Sequence, residues 1–154
     1  MDFSLKNKSD ISGTHWIEFN VSGTATEYTH WADNSKYLDE YAFNFYTDLF
    51  EKATNDFNYY GNTKFDNKQL IKLKQEVENR VKTFDDLHSL PNIMEFSKKT
   101  SYAFNLTQDF QEMYDKQNGQ ENSLRGDLKK LGSDLSHLLD TCIKEGKTLW
   151  VLGL

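Results

Sequence analysis

The sequence predicts an α+β fold, with a small antiparallel sheet (an N-terminal hairpin plus a C-terminal strand) packed with three to four helices. Three observations predict it. His15–Val21 (HWIEFNV) alternates, with Ile17, Phe19 and Val21 on one side and Trp16, Glu18 and Asn20 on the other, the period of a half-buried strand. Asn67–Leu87 and the stretch from Asn122 repeat apolar residues at spacings of three and four, the period of an amphipathic helix. Thr148–Leu152 (TLWVL) is apolar on both faces, as a strand in the interior of a sheet would be.

In chain order, Met1–Gly13 is polar apart from Phe3, Leu5 and Ile11, and reads as a strand or an ordered arm. After the first strand, Ser22-Gly23 leads into Thr24–Trp31 (TATEYTHW), and the two runs read as a hairpin with Gly23 supplying the turn. Asp33, Asn34 and Ser35 offer N-cap oxygens for a helix run to about Thr54. Its heart, Tyr37–Phe50 (YLDEYAFNFYTDLF), has two apolar faces. A helix apolar on two sides is covered on two sides, which places it centrally.

Asn55–Asn67 reads as a loop with a short strand around Tyr59. Asp66 and Gln69 form a D-x-x-Q capping pattern. Leu70, Leu73, Val77, Val81 and Phe84 then mark the buried face of a helix ending near His88, ahead of Pro91. On its polar face Glu78 precedes Lys82 by four residues, a pair contributing roughly 0.2–0.5 kcal/mol. Tyr102, Phe104 and Leu106 alternate as a third strand, Thr107 caps a short helix Gln108–Lys116, and Gln117–Gln120 is a turn. Leu124, Leu128, Leu131, Leu135, Leu138, Leu139 and Cys142 mark the clearest helix, which Gly146 ends. Gly126 and Gly132 inside it each cost about 1 kcal/mol against Ala, and would allow close approach of another backbone. With no repeat or linker, residues 1–154 read as a single globular domain.

The 154 residues are 37% hydrophobic, 27% charged and 14% aromatic, with a formal net charge of -6. That balance is globular, with a core resting on rings. The acidity argues against a nucleic-acid partner and an anionic membrane surface, and favours a basic protein partner. Cys142 is the one cysteine, which rules out an intramolecular disulfide and a Cys-rich zinc site. Its place on an apolar helix face predicts a buried, inert thiol. No apolar run reaches the roughly 18 residues of a membrane helix, and Met1–Asp10 lacks the pattern of a signal peptide. The chain reads as cytoplasmic.

Nothing matches a nucleophile elbow, a phosphate loop, a dinucleotide fingerprint or a zinc-protease helix. His15, His30 and Asp33 could form a two-His, one-carboxylate site, but satisfied or surface histidines are the default, and no catalytic residue, metal or cofactor is expected. A carboxylate pair drawn from Glu18, Glu27 or Asp33 arises readily by chance among 24 acidic residues. The remaining signal is an acidic, aromatic surface made of Asp33, Asp39, Glu40, Asp48, Glu51, Tyr59, Tyr60, Asp85 and Asp86. Carboxylates mixed with exposed tyrosines engage Arg and Lys on a partner; the alternative is that both tyrosines are core and the carboxylates scattered.

Size, charge, the lone cysteine, the aromatic stretch Tyr37–Phe50 and the ending Thr148–Leu154 give a chain that resembles, in type, the immunity proteins of bacterial toxin–immunity and contact-dependent inhibition systems. The resemblance carries no individual residue across. It implies a non-catalytic cytoplasmic protein that neutralises a cognate toxin domain, often a basic nuclease, by covering its active site. The alternatives are a small enzyme, metal-dependent through His15, His30 and Asp33, and a structural or phage accessory protein.

Overall fold

The computed structural model describes residues 2–21, 32–87, 95 and 121–153. Four strands, β1 (Trp16–Asn20), β2 (Lys36–Asp39), β3 (Asn62–Phe65) and β4 (Leu149–Leu152), form one sheet in the order β2-β1-β4-β3. Every pairing is antiparallel. The described residues include the helices α1 (Glu40–Phe43), α2 (Thr47–Ala53), α3 (Asn67–Asp86) and α4 (Glu121–Glu145). The fold is α+β, as the sequence predicts. The apolar ending forms an interior strand, with Val151 opposite both Phe19 and Thr63.

The first strand does not find its partner where the hairpin reading placed it. Its neighbours are β2 and β4, with Ile17 opposite Leu38 and Phe19 opposite Val151. Thr24–Trp31, with its expected strand, lies outside the described residues, as do Tyr102–Leu106 and Gln108–Lys116. β1 is also buried on both sides: Ile17 and Phe19 face the aromatic core, while Glu18 and Asn20, expected on a solvated side, are 1% and 0% exposed. Glu18 Oε1 accepts from Ser35 Oγ at 2.6 Å and from the Ala32 amide at 3.2 Å. Opposite Glu18, burial and then the Glu18 charge push the Tyr37 hydroxyl up to about 12.

The stretch Tyr37–Phe50 is not one helix. It runs as β2, then the single turn α1, then a break at residues 44–46, then α2. Tyr37 and Leu38 are held in the sheet by Glu18 and Ile17, a setting that suits aromatic and large apolar side chains. Asp39, rather than Asp33, Asn34 or Ser35, caps the helix, its carboxylate accepting from the Tyr41 amide at 2.9 Å. The central placement nonetheless holds. Tyr37, Leu38, Ala42, Phe43, Phe45, Tyr46, Leu49 and Phe50 are all buried, because a broken path aims rings in more directions than one helical stripe can. Phe43 meets Phe19 and Phe50 at centroid distances of 5.9 and 5.0 Å, Phe45 meets Phe3 at 6.1 Å, and Tyr46 meets Phe84 at 6.1 Å. The N-terminal arm is tied on by reciprocal backbone bonds between Lys6 and Tyr37.

α3 opens with the expected capping box: the Asp66 carboxylate takes the Gln69 amide at 2.9 Å, and Gln69 Oε1 takes the Asp66 amide at 2.8 Å. Its buried face is Leu70, Leu73, Val77, Arg80 and Phe84; Val81 is half-buried. Glu78 pairs backward with Lys74 at 2.6 Å rather than forward with Lys82, and also accepts from Ser136 Oγ of α4 at 3.0 Å. α3 and α4 lie along each other. α4 ends at Gly146, whose φ of +63° and the Lys147 amide bond to the Cys142 carbonyl form a left-handed cap. Cys142 is buried, and burial pushes its thiol up to about 11.

Candidate functional site

The nine acidic and aromatic residues separate into groups with different work. The first lies where β2 passes into α1. Asp39 ends the strand and caps the helix, and burial raises its carboxyl above the usual range. Glu40 opens α1, and its amide bonds the His15 carbonyl at 3.1 Å. Its carboxylate meets the turn before β3: the Tyr59 hydroxyl donates to Glu40 Oε1 at 3.0 Å. The exposed His15 ring places Nδ1 3.5 Å from Glu40 Oε2.

That turn is held by short-range bonds. Asn58 Oδ1 accepts from the Tyr60 amide at 3.1 Å, and the Thr63 hydroxyl accepts from the Asn58 amide at 2.9 Å. It is also clamped from outside, as the Gly153 amide bonds the Gly61 carbonyl at 3.1 Å. A Cβ at Gly153 would collide with the Tyr59 carbonyl, so only glycine allows this approach.

The two adjacent tyrosines therefore differ. Tyr59 is 3% exposed and Tyr60 71%. Burial withdraws the Tyr59 ring from any direct contact, which corrects its place among surface residues. Its role is to support: the Tyr60 ring packs edge-on against it at 5.0 Å and 72°. Burial first, and the Glu40 charge second, raise the Tyr59 hydroxyl above its ordinary range, with the Tyr60 hydroxyl a further contributor. Tyr59 thus stays a neutral donor to Glu40. Its hydroxyl also lies 3.3 Å from Asn44 Oδ1, while the buried Asn44 Nδ2 has no partner among the described residues. A hydroxyl has one proton to give; turning the Asn44 amide over would let it donate to the Tyr59 oxygen and leave that proton for Glu40.

The second group is structural. Asp48 Oδ2 takes Arg80 Nη2 at 2.7 Å and Lys52 Nζ at 3.2 Å. Arg80 Nη1 donates to the Phe45 carbonyl at 2.6 Å, bridging the break before α2 to α3. Burial and then the Asp48 charge raise the Glu51 carboxyl. The rest stand apart: Asp85 pairs with Lys129 of α4, Asp86 is exposed at the end of α3, and Asp33 pairs with Lys8 at 3.0 Å with a side chain 96% exposed. Among the described residues, then, contacts gather Glu40, Tyr59 and Tyr60, with Asp39 adjoining, while Asp48 and Glu51 are related through the repulsion of their charges. None joins these to Asp33, Asp85 or Asp86.

His15 approaches Glu40, not Asp33, and His30 lies outside the described residues. Among the described residues no group of three or more His, Cys, Asp or Glu could hold a metal. An open groove of about 550 Å³ runs between α3 and α4, lined by Lys74, Glu78, Lys82, His137 and Asp140 among others. Glu78 is held by Lys74 and Ser136, and Asp140 by Lys144 at 2.5 Å.

Gly153 and Arg80 escape sequence reasoning, and His15, weighed there with His30 and Asp33, is not foreseen beside Glu40. His15 and Gly153 are brought in by tertiary contacts that leave no local pattern. Arg80 did leave one: 70, 73, 77, 80 and 84 continue the three-four spacing through a charged residue. No protein-family model matches the chain, and comparisons with curated proteins and with solved structures likewise found no match. Among the described residues no helix is long and apolar enough to cross a membrane.

Proposed function

We propose that this chain is a non-catalytic binding protein that docks on a basic protein partner and neutralises it by covering its working surface, in the manner of an immunity protein acting on a toxin. One observation carries the reading: the exposed ring of Tyr60 is braced by Tyr59, whose hydroxyl is fixed to Glu40. A supported aromatic beside a carboxylate is the composition of an interface hot spot, and holding it in place before binding lowers the entropy cost of association. The net charge of -6 supports encounter with a basic surface.

Co-expression with the product of the neighbouring gene tests the proposal. The expected result is a stable complex, and relief of any growth arrest the neighbour causes alone. A neighbour that is neither basic nor toxic and forms no complex would sink it.

A further inference from the structure

The Tyr60 surface has a chemistry more particular than acidity, and the inference here rests on the binding role just proposed. We propose that this surface takes one arginine side chain of the partner, its guanidinium laid across the Tyr60 ring and directed at the Glu40 carboxylate. Two features point to arginine rather than lysine, and two more to a cation at this place.

The Tyr60 ring is 71% exposed, and its contact with Tyr59 is edge-on, an arrangement that leaves ring surface for stacking. A planar guanidinium stacks on such a face, while an ammonium acts as a point charge. Glu40 lies just beyond the Tyr59 hydroxyl, which fixes Oε1 at 3.0 Å, and a carboxylate already held in place suits the fork of N–H donors on arginine. The Tyr60 ring lies 5.0 Å from the Tyr59 ring, whose hydroxyl holds Glu40, and ring and carboxylate are here assigned to one end of the same side chain. Finally, among the described residues Glu40 Oε2 is met by the 75% exposed ring of His15 at 3.5 Å, the Glu40 side chain itself being 17% exposed. That is a loose contact with a group able to carry positive charge, and an incoming cation can displace it.

The test uses the full chain with hexa-arginine and hexa-lysine peptides, matched in charge, at low salt. The expected result is tighter binding of the arginine peptide by about two- to fivefold, the size of an exposed cation–π contact. Amide shifts should fall on His15, Glu40 and Tyr59–Gly61. Tyr60→Ala should lower the ratio while charge-driven binding of both peptides persists; Glu40→Gln, which keeps an acceptor for Tyr59, should weaken both. Equal binding of the two peptides by the unaltered chain, or an arginine preference undiminished in Tyr60→Ala, would overturn the assignment. Such a failure is distinct from failure of the binding role itself, which is read from the complex with the neighbouring gene product and does not require an arginine preference.

Discussion

The hydroxyl of Tyr46 donates a 2.6 Å hydrogen bond to the backbone carbonyl of Leu128, 82 residues further along the chain. It reaches that carbonyl because Gly132, one turn on in α4, leaves room: a Cβ there would overlap both the Tyr46 hydroxyl and Val81 Cγ2. The residue that ends the break between α1 and α2 is thereby tied to the α3–α4 pair.

Two substitutions in α4 should consequently act in opposite directions. Gly132→Ala forces Tyr46 or Val81 to move and should cost about 1–3 kcal/mol, the usual range for overpacking. Gly126→Ala, with nothing within 4 Å of the new methyl, should stabilise by up to about 1 kcal/mol through helix propensity. Urea midpoints of the two variants check this.

Arg80 is 6% exposed and Asp48 has a buried Oδ1 with no partner among the described residues. Arg80→Ala would take from that carboxylate its buried partner, leaving it the exposed Lys52, and would remove the Arg80 bond to the Phe45 carbonyl. The expected loss is about 3–5 kcal/mol, as for breaking one side of a buried pair. Arg80→Lys should recover little, since one ammonium cannot replace a fork that bridges two acceptors. Chemical denaturation of both variants distinguishes this account from one in which Arg80 is merely a surface charge.

Alkaline stability follows from the buried phenols. Burial raises Tyr37 from 10.0 to about 12, and also raises Tyr46 and Tyr59. A group raised on folding stabilises fully below its unfolded value and loses that contribution as pH climbs through the folded one. The fold should hold up to about pH 10 and weaken between there and about pH 12. In a phenolate absorbance titration these three tyrosines should ionise only with loss of the native circular dichroism. All eight tyrosines ionising together near pH 10 in a still-folded protein would contradict the burial described.

Gly153→Ala probes how the Tyr60 turn is held. The new methyl would collide with the Tyr59 carbonyl, so the turn must shift and the Gly153–Gly61 bond lengthen. Partner affinity should fall by about tenfold or more, in line with the roughly 2 kcal/mol scale of interface hot spots, while the melting transition stays cooperative. Unchanged affinity would mean that the turn is not the contact.

The parts of the fold legible in the sequence are those set by local pattern. α3, with its Asp66–Gln69 box, and α4, ended by Gly146, follow from spacing and capping within a few residues. Leu149–Leu152 could be recognised as an interior strand because both of its faces are apolar. The passage from β2 to α2 could not be read that way. Tyr37 and Leu38 fit a helical stripe equally well, and only pairing with Glu18 and Ile17 puts them in the sheet. The site shows the same division. Composition pointed to acidic and tyrosine-bearing surface, but Tyr59 and Tyr60 are identical in kind. Which ring is buried depends on Glu40 and Gly153, distant in sequence. The Arg80 case is different: its apolar phase was visible, and the polarity of arginine hid it.

Hydrogen exchange of the chain, free and bound to the neighbouring gene product, tests the central claim most directly. The account predicts protection on binding concentrated at residues 39–44 and 58–61, with Tyr60→Ala erasing it. Protection confined to the α3–α4 groove around His137 and Asp140, with residues 58–61 exchanging as in the free protein, would contradict it.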